Sequence, residues 1–206
     1  MKVAIINGSP KLRESASQLL AEAVQKKLGN QTECAICSPI GPEGSEILKK
    51  IEGANALVFV FPLYIDGLPS HLLRFLDESL QDISDKASGA MVYSIVNNGF
   101  FEGRQNAVAF EIMRNFADKA GLKWGQGIGV GGGGMLRSVG IGRGPLKKVG
   151  NTLDLLSKNI INARSAQNYT VDPDFPRALY IAVAHLSWRA SARKNKVNSK
   201  QMLVKP

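Results

Sequence analysis

A doubly wound α/β sheet with parallel strands is the fold this sequence predicts, and three observations predict it. Five short apolar runs recur along the chain. Amphipathic stretches with helical spacing separate them. The middle run, Ala54 to Phe61, is apolar at every position except Asn55, as a strand covered on both faces requires. Strands that alternate with helices form parallel sheets through right-handed crossovers.

The elements follow in order. Val3-Ala4-Ile5-Ile6 reads as a first strand. From Ser15 to Leu28, the apolar residues Ala16, Leu19, Leu20, Ala23, Val24 and Leu28 recur at helical spacing, and Gly29-Asn30 ends that helix. A second strand is expected over 32–37 and a helix over 45–51, followed by the central strand. A helix over 68–80, a fourth strand over 90–96, a helix over 105–120 and a fifth strand over 123–130 complete the sheet. Two further helices are expected over 146–161 and 176–194. Residues 1–170 then form the sheet domain, and 171–206 a C-terminal helix and basic tail packed on it.

The composition narrows the setting. No run approaches the roughly 18 apolar residues of a membrane span, and Met1 to Gly8 is too short for an export signal, so a cytoplasmic protein is expected. Cys34 and Cys37 are spaced C-x-x-C, but on a strand such residues point to opposite faces and cannot pair. With only His71 and His185 besides, no metal site is expected. The net charge is +9, and seven of the cations lie between Asp172 and Pro206 against two acids. The last 19 residues, from Trp188, hold six of these cations and no acid, and that tail lacks interleaved aromatics or any nucleic-acid motif, so it reads as a solvated helix end.

In a sheet of this kind, ligands bind beyond the carboxyl ends of the strands. The loop after strand one, Asn7 to Ser17, brings three hydroxyls and two cations to a helix start, where free N–H groups favour a phosphate. Ser15-Ala16-Ser17-Gln18 also fits a capping box, which would account for Ser15 and Gln18 without a ligand. The loop after strand three runs Phe61-Pro62-Leu63-Tyr64-Ile65-Asp66-Gly67-Leu68-Pro69. The loop after strand four is Asn97-Asn98-Gly99-Phe100-Phe101-Glu102-Gly103, and four glycines, Gly131 to Gly134, follow strand five. The glycines are expected to let backbone approach a ligand or a neighbouring subunit. Gly129 to Gly134 matches G-x-G-x-x-G, but Asp154, the acid 20 residues on, falls inside a predicted helix rather than at a strand end. No dinucleotide site is read there.

With these segments in hand, the chain resembles the NADPH-dependent FMN reductase family of the flavodoxin-like superfamily. Gly8-Ser9-Pro10-Lys11 with Ser15 and Ser17, Pro62 to Pro69, and Asn97 to Gly103 carry the likeness, which runs over residues 1–135. The resemblance implies the flavodoxin-like strand order 2-1-3-4-5 and bound FMN. Its phosphate would lie among Ser9, Lys11, Arg13, Ser15, Ser17 and Gln18. Pro62, Leu63, Tyr64, Ile65, Asp66 and Gly67 would flank the ribityl chain and ring. Asn97, Asn98, Gly99, Phe100, Phe101 and Gly103 would edge the isoalloxazine. Family members are commonly dimers or tetramers.

The activity this implies is ping-pong oxidoreduction: NAD(P)H reduces FMN, and a small acceptor such as a quinone or free flavin reoxidises it. Hydride chemistry belongs to the flavin, so no residue of the chain is assigned a catalytic role. Two other readings stand beside it. One is a flavodoxin-like electron carrier serving a protein partner, which the positive charge disfavours. The other is a flavin-free module for phosphorylated ligands or nucleic acid, which leaves Tyr64, Phe100 and Phe101 unexplained.

Overall fold

In the computed structural model, which describes residues 1–11, 14–30, 32–40, 46–198 and 201, the chain divides into two compact units, Met1–Pro173 and Asp174–Pro206. Arg13, Ser45, Lys200 and Lys205 lie outside the described residues.

The first unit is a parallel sheet with helices on both faces. Its strands are β1 (Lys2–Asn7), β2 (Glu33–Cys37), β3 (Ala56–Pro62), β4 (Met91–Asn97), β5 (Lys123–Val130) and β6 (Tyr169–Val171). Between them run α1 (Ala16–Leu28), α2 (Ile47–Ile51), α3 (Ser70–Glu78), α4 (Leu80–Lys86), α5 (Ala107–Lys119), α6 (Leu136–Val139) and α7 (Lys147–Ile161). The strand order is β2-β1-β3-β4-β5-β6, and every neighbouring pair is parallel. Alternation along each strand sends side chains into two cores. Ile6, Phe59 and Phe61 face α3 and α5, whereas Ile5, Val58 and Val60 face α1 and α7. This double burial is why the central strands are apolar throughout.

Six strands rather than five make the sheet, which corrects the sequence-based expectation. β6 is only three residues long and buries only Val171, so it has neither the apolar run nor the alternation that reveals a strand. It is held by its approach. The segment before it follows the edge of β5, where the Ala166 amide donates to the Gly125 carbonyl (2.9 Å) and Asn168 Oδ1 accepts from the Gly127 amide (2.8 Å). The helix expected over 68–80 is α3, which ends at Ser79, and a separate helix not expected from the sequence, α4, follows it.

Tyr93 holds the chain where it leaves α7. Its ring is fully buried on β4, and its hydroxyl lies 3.0 Å from the Arg164 carbonyl and 3.1 Å from that of Asn159. Burial pushes its ionisation up to about 12. A Cβ on Gly125 would stand 2.4 Å from the Tyr93 ring, so the glycine is what lets the ring lie flat on β5.

Cys34 packs toward the α1 side and Cys37 lies buried on the other, so the two thiols diverge as the strand geometry requires. Burial pushes the Cys34 thiol up to about 11. Asp154 sits in α7, bound to Lys27 of α1.

The second unit contains α8 (Arg177–Lys194), 18 residues with none buried. At 100° per residue, Leu179, Val183 and Leu186 lie on one side of the helix, with Ile181 and Trp188 on the opposite side. No helix among the described residues is long and apolar enough to cross a membrane.

Candidate functional site

The carboxyl ends of β1, β3 and β4 carry a group of buried polar side chains, an arrangement with a high desolvation cost unless each atom finds a partner. Asn7, Ser9, Ser15, Ser17, Asn97 and Asn98 are all buried there. Their bonds show how the loops are built.

After β1 the chain turns through Gly8, whose amide donates to the Val60 carbonyl (2.9 Å). Asn7 Oδ1 accepts from the Ser9 amide (3.1 Å), and Ser9 Oγ accepts from the Lys11 amide (3.2 Å). Ser15 is the N-cap of α1 and accepts from the Gln18 amide (3.0 Å). The capping reading therefore holds for Ser15, but the reciprocal half of the box is replaced: Gln18 accepts from Asn7 Nδ2 (2.7 Å) and donates to Glu22 (2.8 Å). Ser17 Oγ accepts from Asn97 Nδ2 (2.8 Å), which also donates to the Phe61 carbonyl (3.1 Å). Each of the three serines thus acts as an acceptor, and among the described residues its hydroxyl hydrogen has no acceptor, so it is available to donate. Lys11 is exposed beside them.

His71, at the start of α3, holds this loop from the other side with Nε2 3.1 Å from the Gly8 carbonyl. Burial lowers its pKa, opposed in part by that bond, so the ring is neutral near pH 7 and donates through Nε2.

The loop after β3 closes as a two-residue hairpin turn. Tyr64 and Gly67 exchange both backbone hydrogen bonds at 3.0 Å, with Ile65 (φ 49°) and Asp66 (φ 57°) in the left-handed region. That conformation is unfavourable for a β-branched residue. Ile65 nevertheless occupies it with its side chain fully exposed, beside a Tyr64 that is 49% exposed. Pro62 and Leu63 are half-buried, and the Leu63 amide donates to the Asn97 carbonyl (2.8 Å), tying this loop to the next.

In the loop after β4, Asn98 Nδ2 donates to the Glu102 carbonyl (3.1 Å), while its Oδ1 is buried with no hydrogen-bond partner among the described residues. A Cβ on Gly99 would meet nothing within 4 Å. Phe100 is 57% exposed, Phe101 is half-buried and Gly103 is buried.

The glycine run after β5 proves to serve the protein itself. The Gly132 amide donates to the Phe100 carbonyl (2.6 Å), and the Gly133 amide to the Asn98 carbonyl (2.7 Å). A Cβ on Gly131 would lie 2.1 Å from the Phe101 oxygen, and one on Gly133 would lie 2.7 Å from that of Asn98. Neighbouring loops therefore fill the space that the sequence suggested for a ligand or subunit. Gly134 alone of the four has nothing within 4 Å.

Two residues here escaped the sequence reading. Arg137 of α6 pairs with Glu14 of the first loop at 3.2 Å, and Asp172, just past β6, accepts from the Gly103 amide at 2.7 Å. These partners are 123 and 69 positions away, too far for any local pattern to signal.

The residues fit FMN at both ends. Serine hydroxyls at the start of a 13-residue helix offer donors to a phosphate, and the orphaned Asn98 Oδ1 is an acceptor for a ring N–H. Among the described residues, no group of His, Cys, Asp or Glu could hold a metal ion.

Solved structures with this fold include the Trp repressor binding protein from Bacillus subtilis, 17% identical with TM-score 0.56, over 77% of this chain and 97% of that one. A flavodoxin from Streptococcus pneumoniae is 12% identical with TM-score 0.57, over 79% and 99% of the two chains. No curated protein matches the chain. The model of one family matches residues 1–110, from β1 into α5 and across all three site loops up to Gly103, and by that match the chain belongs to the NADPH-dependent FMN reductase family.

Proposed function

We propose that the protein is an FMN-dependent NAD(P)H oxidoreductase that passes electrons from a nicotinamide nucleotide to a small acceptor such as a quinone or a flavin. The observation that carries this reading is the set of buried serine hydroxyls, Ser9, Ser15 and Ser17, each accepting one bond and each, among the described residues, with a hydrogen still to donate. When bound, FMN supplies the capacity to accept a hydride and pass the electrons on.

The chain's part is to bind, orient and exclude water. The three serines and the first turn of α1 hold the phosphate, with the positive end of the helix dipole and the exposed Lys11 favouring its charge. Asn98 Oδ1 accepts from the ring edge. The exposed rings of Tyr64 and Phe100, together with Ile65, cover the flavin. That role gives these apolar side chains a reason to stand in solvent, and it accounts for the strained turn under Ile65. Pro62, Leu63, Asp66, Gly67, Gly99, Phe101 and Gly103 shape the two loops.

The test is the absorption spectrum of freshly purified protein, followed by anaerobic addition of NADPH and then NADH. A yellow protein that bleaches is expected. A yellow protein inert to both nucleotides would favour the electron carrier, and a colourless one that takes up no FMN would sink the proposal.

The protein is further proposed to work as a homo-oligomer. The helix α8 carries Leu179, Val183 and Leu186 on one side and Ile181 and Trp188 on the opposite side, and a helix apolar on two sides needs more than one covering surface. Light scattering on the same preparation is expected to give a mass at least twice that of the chain; a monomer mass would remove the idea.

A further inference from the structure

The sixth strand lies beyond residues 1–110, where the family likeness resides, yet its end touches two of the site loops. The Gly131 amide donates to the Val171 carbonyl (2.9 Å), the Gly103 amide donates to Asp172 Oδ1 (2.7 Å), and a Cβ on Gly132 would lie 2.3 Å from Pro173 Cγ. A Cβ on Gly103 would meet the Val171 oxygen at 2.8 Å and its nitrogen at 3.0 Å. Residues 171–173 therefore form a strap laid directly across the loops after β4 and β5.

The loop after β5 and the strap together hold the loop after β4 at three points along its length. Gly133 holds the Asn98 carbonyl, Gly132 holds the Phe100 carbonyl, and Asp172 holds the Gly103 amide. The first two are neutral backbone bonds; the third is the charged one. Gly103 also begins the helical turn Gly103–Asn106 that leads into α5, and no side chain of Glu102 or Asn106 caps either start. Asp172 acts as that cap from across the sheet. An anion at the N-terminal end of a helix is favoured, and a hydrogen bond to a carboxylate is about twice as strong as a neutral one.

We infer that Asp172 is a positioning residue for the flavin site: its carboxylate fixes Gly103 and so holds Asn98 and Phe100 in the geometry that receives the ring. The inference rests on the proposed function, since it needs FMN to bind there. It assigns a site role to a strand that the family likeness does not include.

The experiment compares Asp172→Ala, Asp172→Asn and Tyr93→Phe with wild type by three readouts: FMN titration, the visible circular dichroism of bound flavin, and hydrogen exchange of the Gly103 amide in flavin-free protein. Asp172→Ala is expected to weaken FMN by about tenfold or more, the equivalent of one charged hydrogen bond. It should also alter the flavin dichroism and speed Gly103 exchange. Asp172→Asn keeps an acceptor oxygen in place and should restore most of all three. Tyr93→Phe removes the hydroxyl that binds the Arg164 and Asn159 carbonyls. It is expected to lower the urea midpoint of unfolding while leaving FMN affinity unchanged, so it controls for a general loss of stability.

Wild-type FMN affinity in a folded Asp172→Ala protein would overturn the inference. So would an affinity loss in Tyr93→Phe equal to that in Asp172→Ala. If wild type itself takes up no FMN, the proposed function fails. Gly103 exchange unchanged by Asp172→Ala would then overturn the strap as well, and faster exchange would sustain its hold on the loop.

Discussion

Replacing Ser15 with Asp is expected to leave the protein as stable as wild type and to weaken FMN binding by a hundredfold or more. Ser15 is the N-cap of α1, with φ −85° and ψ 156° and its Oγ accepting from the Gln18 amide. Aspartate caps as well as serine does, and its charge suits the positive end of the helix dipole. By the proposed function, the same side chain also faces a phosphate. A new negative charge about 5 Å from each phosphate charge costs roughly 3 kcal/mol at the effective dielectric of a protein surface, which is more than a hundredfold in affinity. Ser15→Ala should behave in the opposite sense: about 1 kcal/mol of stability is lost with the cap, and FMN affinity falls by about tenfold with the lost donor. Urea denaturation and FMN titration of both variants separate the two roles that the sequence left superposed at Ser15. Unchanged FMN affinity in Ser15→Asp would take the phosphate away from α1.

How far the site could be read beforehand follows from how local its signals are. Ala56 to Phe61 announced a central strand because burial on both faces leaves no room for polar residues, and the loops beyond such strands are where ligands bind. The fold class and three of the loops were therefore legible. β6 was not, because a three-residue edge strand with one buried side chain resembles any loop, and hydrogen bonds to the Gly125 carbonyl and from Gly127 and Trp124 hold its approach rather than hydrophobic burial. Asp172 and Arg137 were illegible for another reason: an exposed charge says nothing about a partner a hundred positions away. The glycine run was noticed but given the wrong neighbour. Glycine composition reports that something comes close, and only the fold tells whether that is a ligand or the protein's own backbone.

That last distinction makes the second prediction. Gly131→Ala is expected to destabilise the protein by about 3 kcal/mol, at the upper end for overpacking, and to abolish FMN binding. The new methyl would lie 2.1 Å from the Phe101 oxygen, 2.7 Å from the Gly103 nitrogen and 3.0 Å from the Glu102 carbonyl carbon. All three are backbone atoms, so no side-chain rotation relieves the overlap. The loop they belong to is tied at Phe100 by Gly132 and at Gly103 by Asp172, so it cannot retreat without breaking one of those bonds. Any retreat also carries Asn98 and Phe100 away from the ring. Gly134→Ala is the control from the same run. It has nothing within 4 Å and no left-handed backbone angle, so its stability should stay within about 0.5 kcal/mol of wild type. Thermal or urea unfolding together with FMN titration decides the matter. If the glycines served a ligand alone, Gly131→Ala would match wild type in stability without FMN and lose only affinity. If they serve loop packing, the stability loss appears in the flavin-free protein and is confined to the positions where backbone meets backbone.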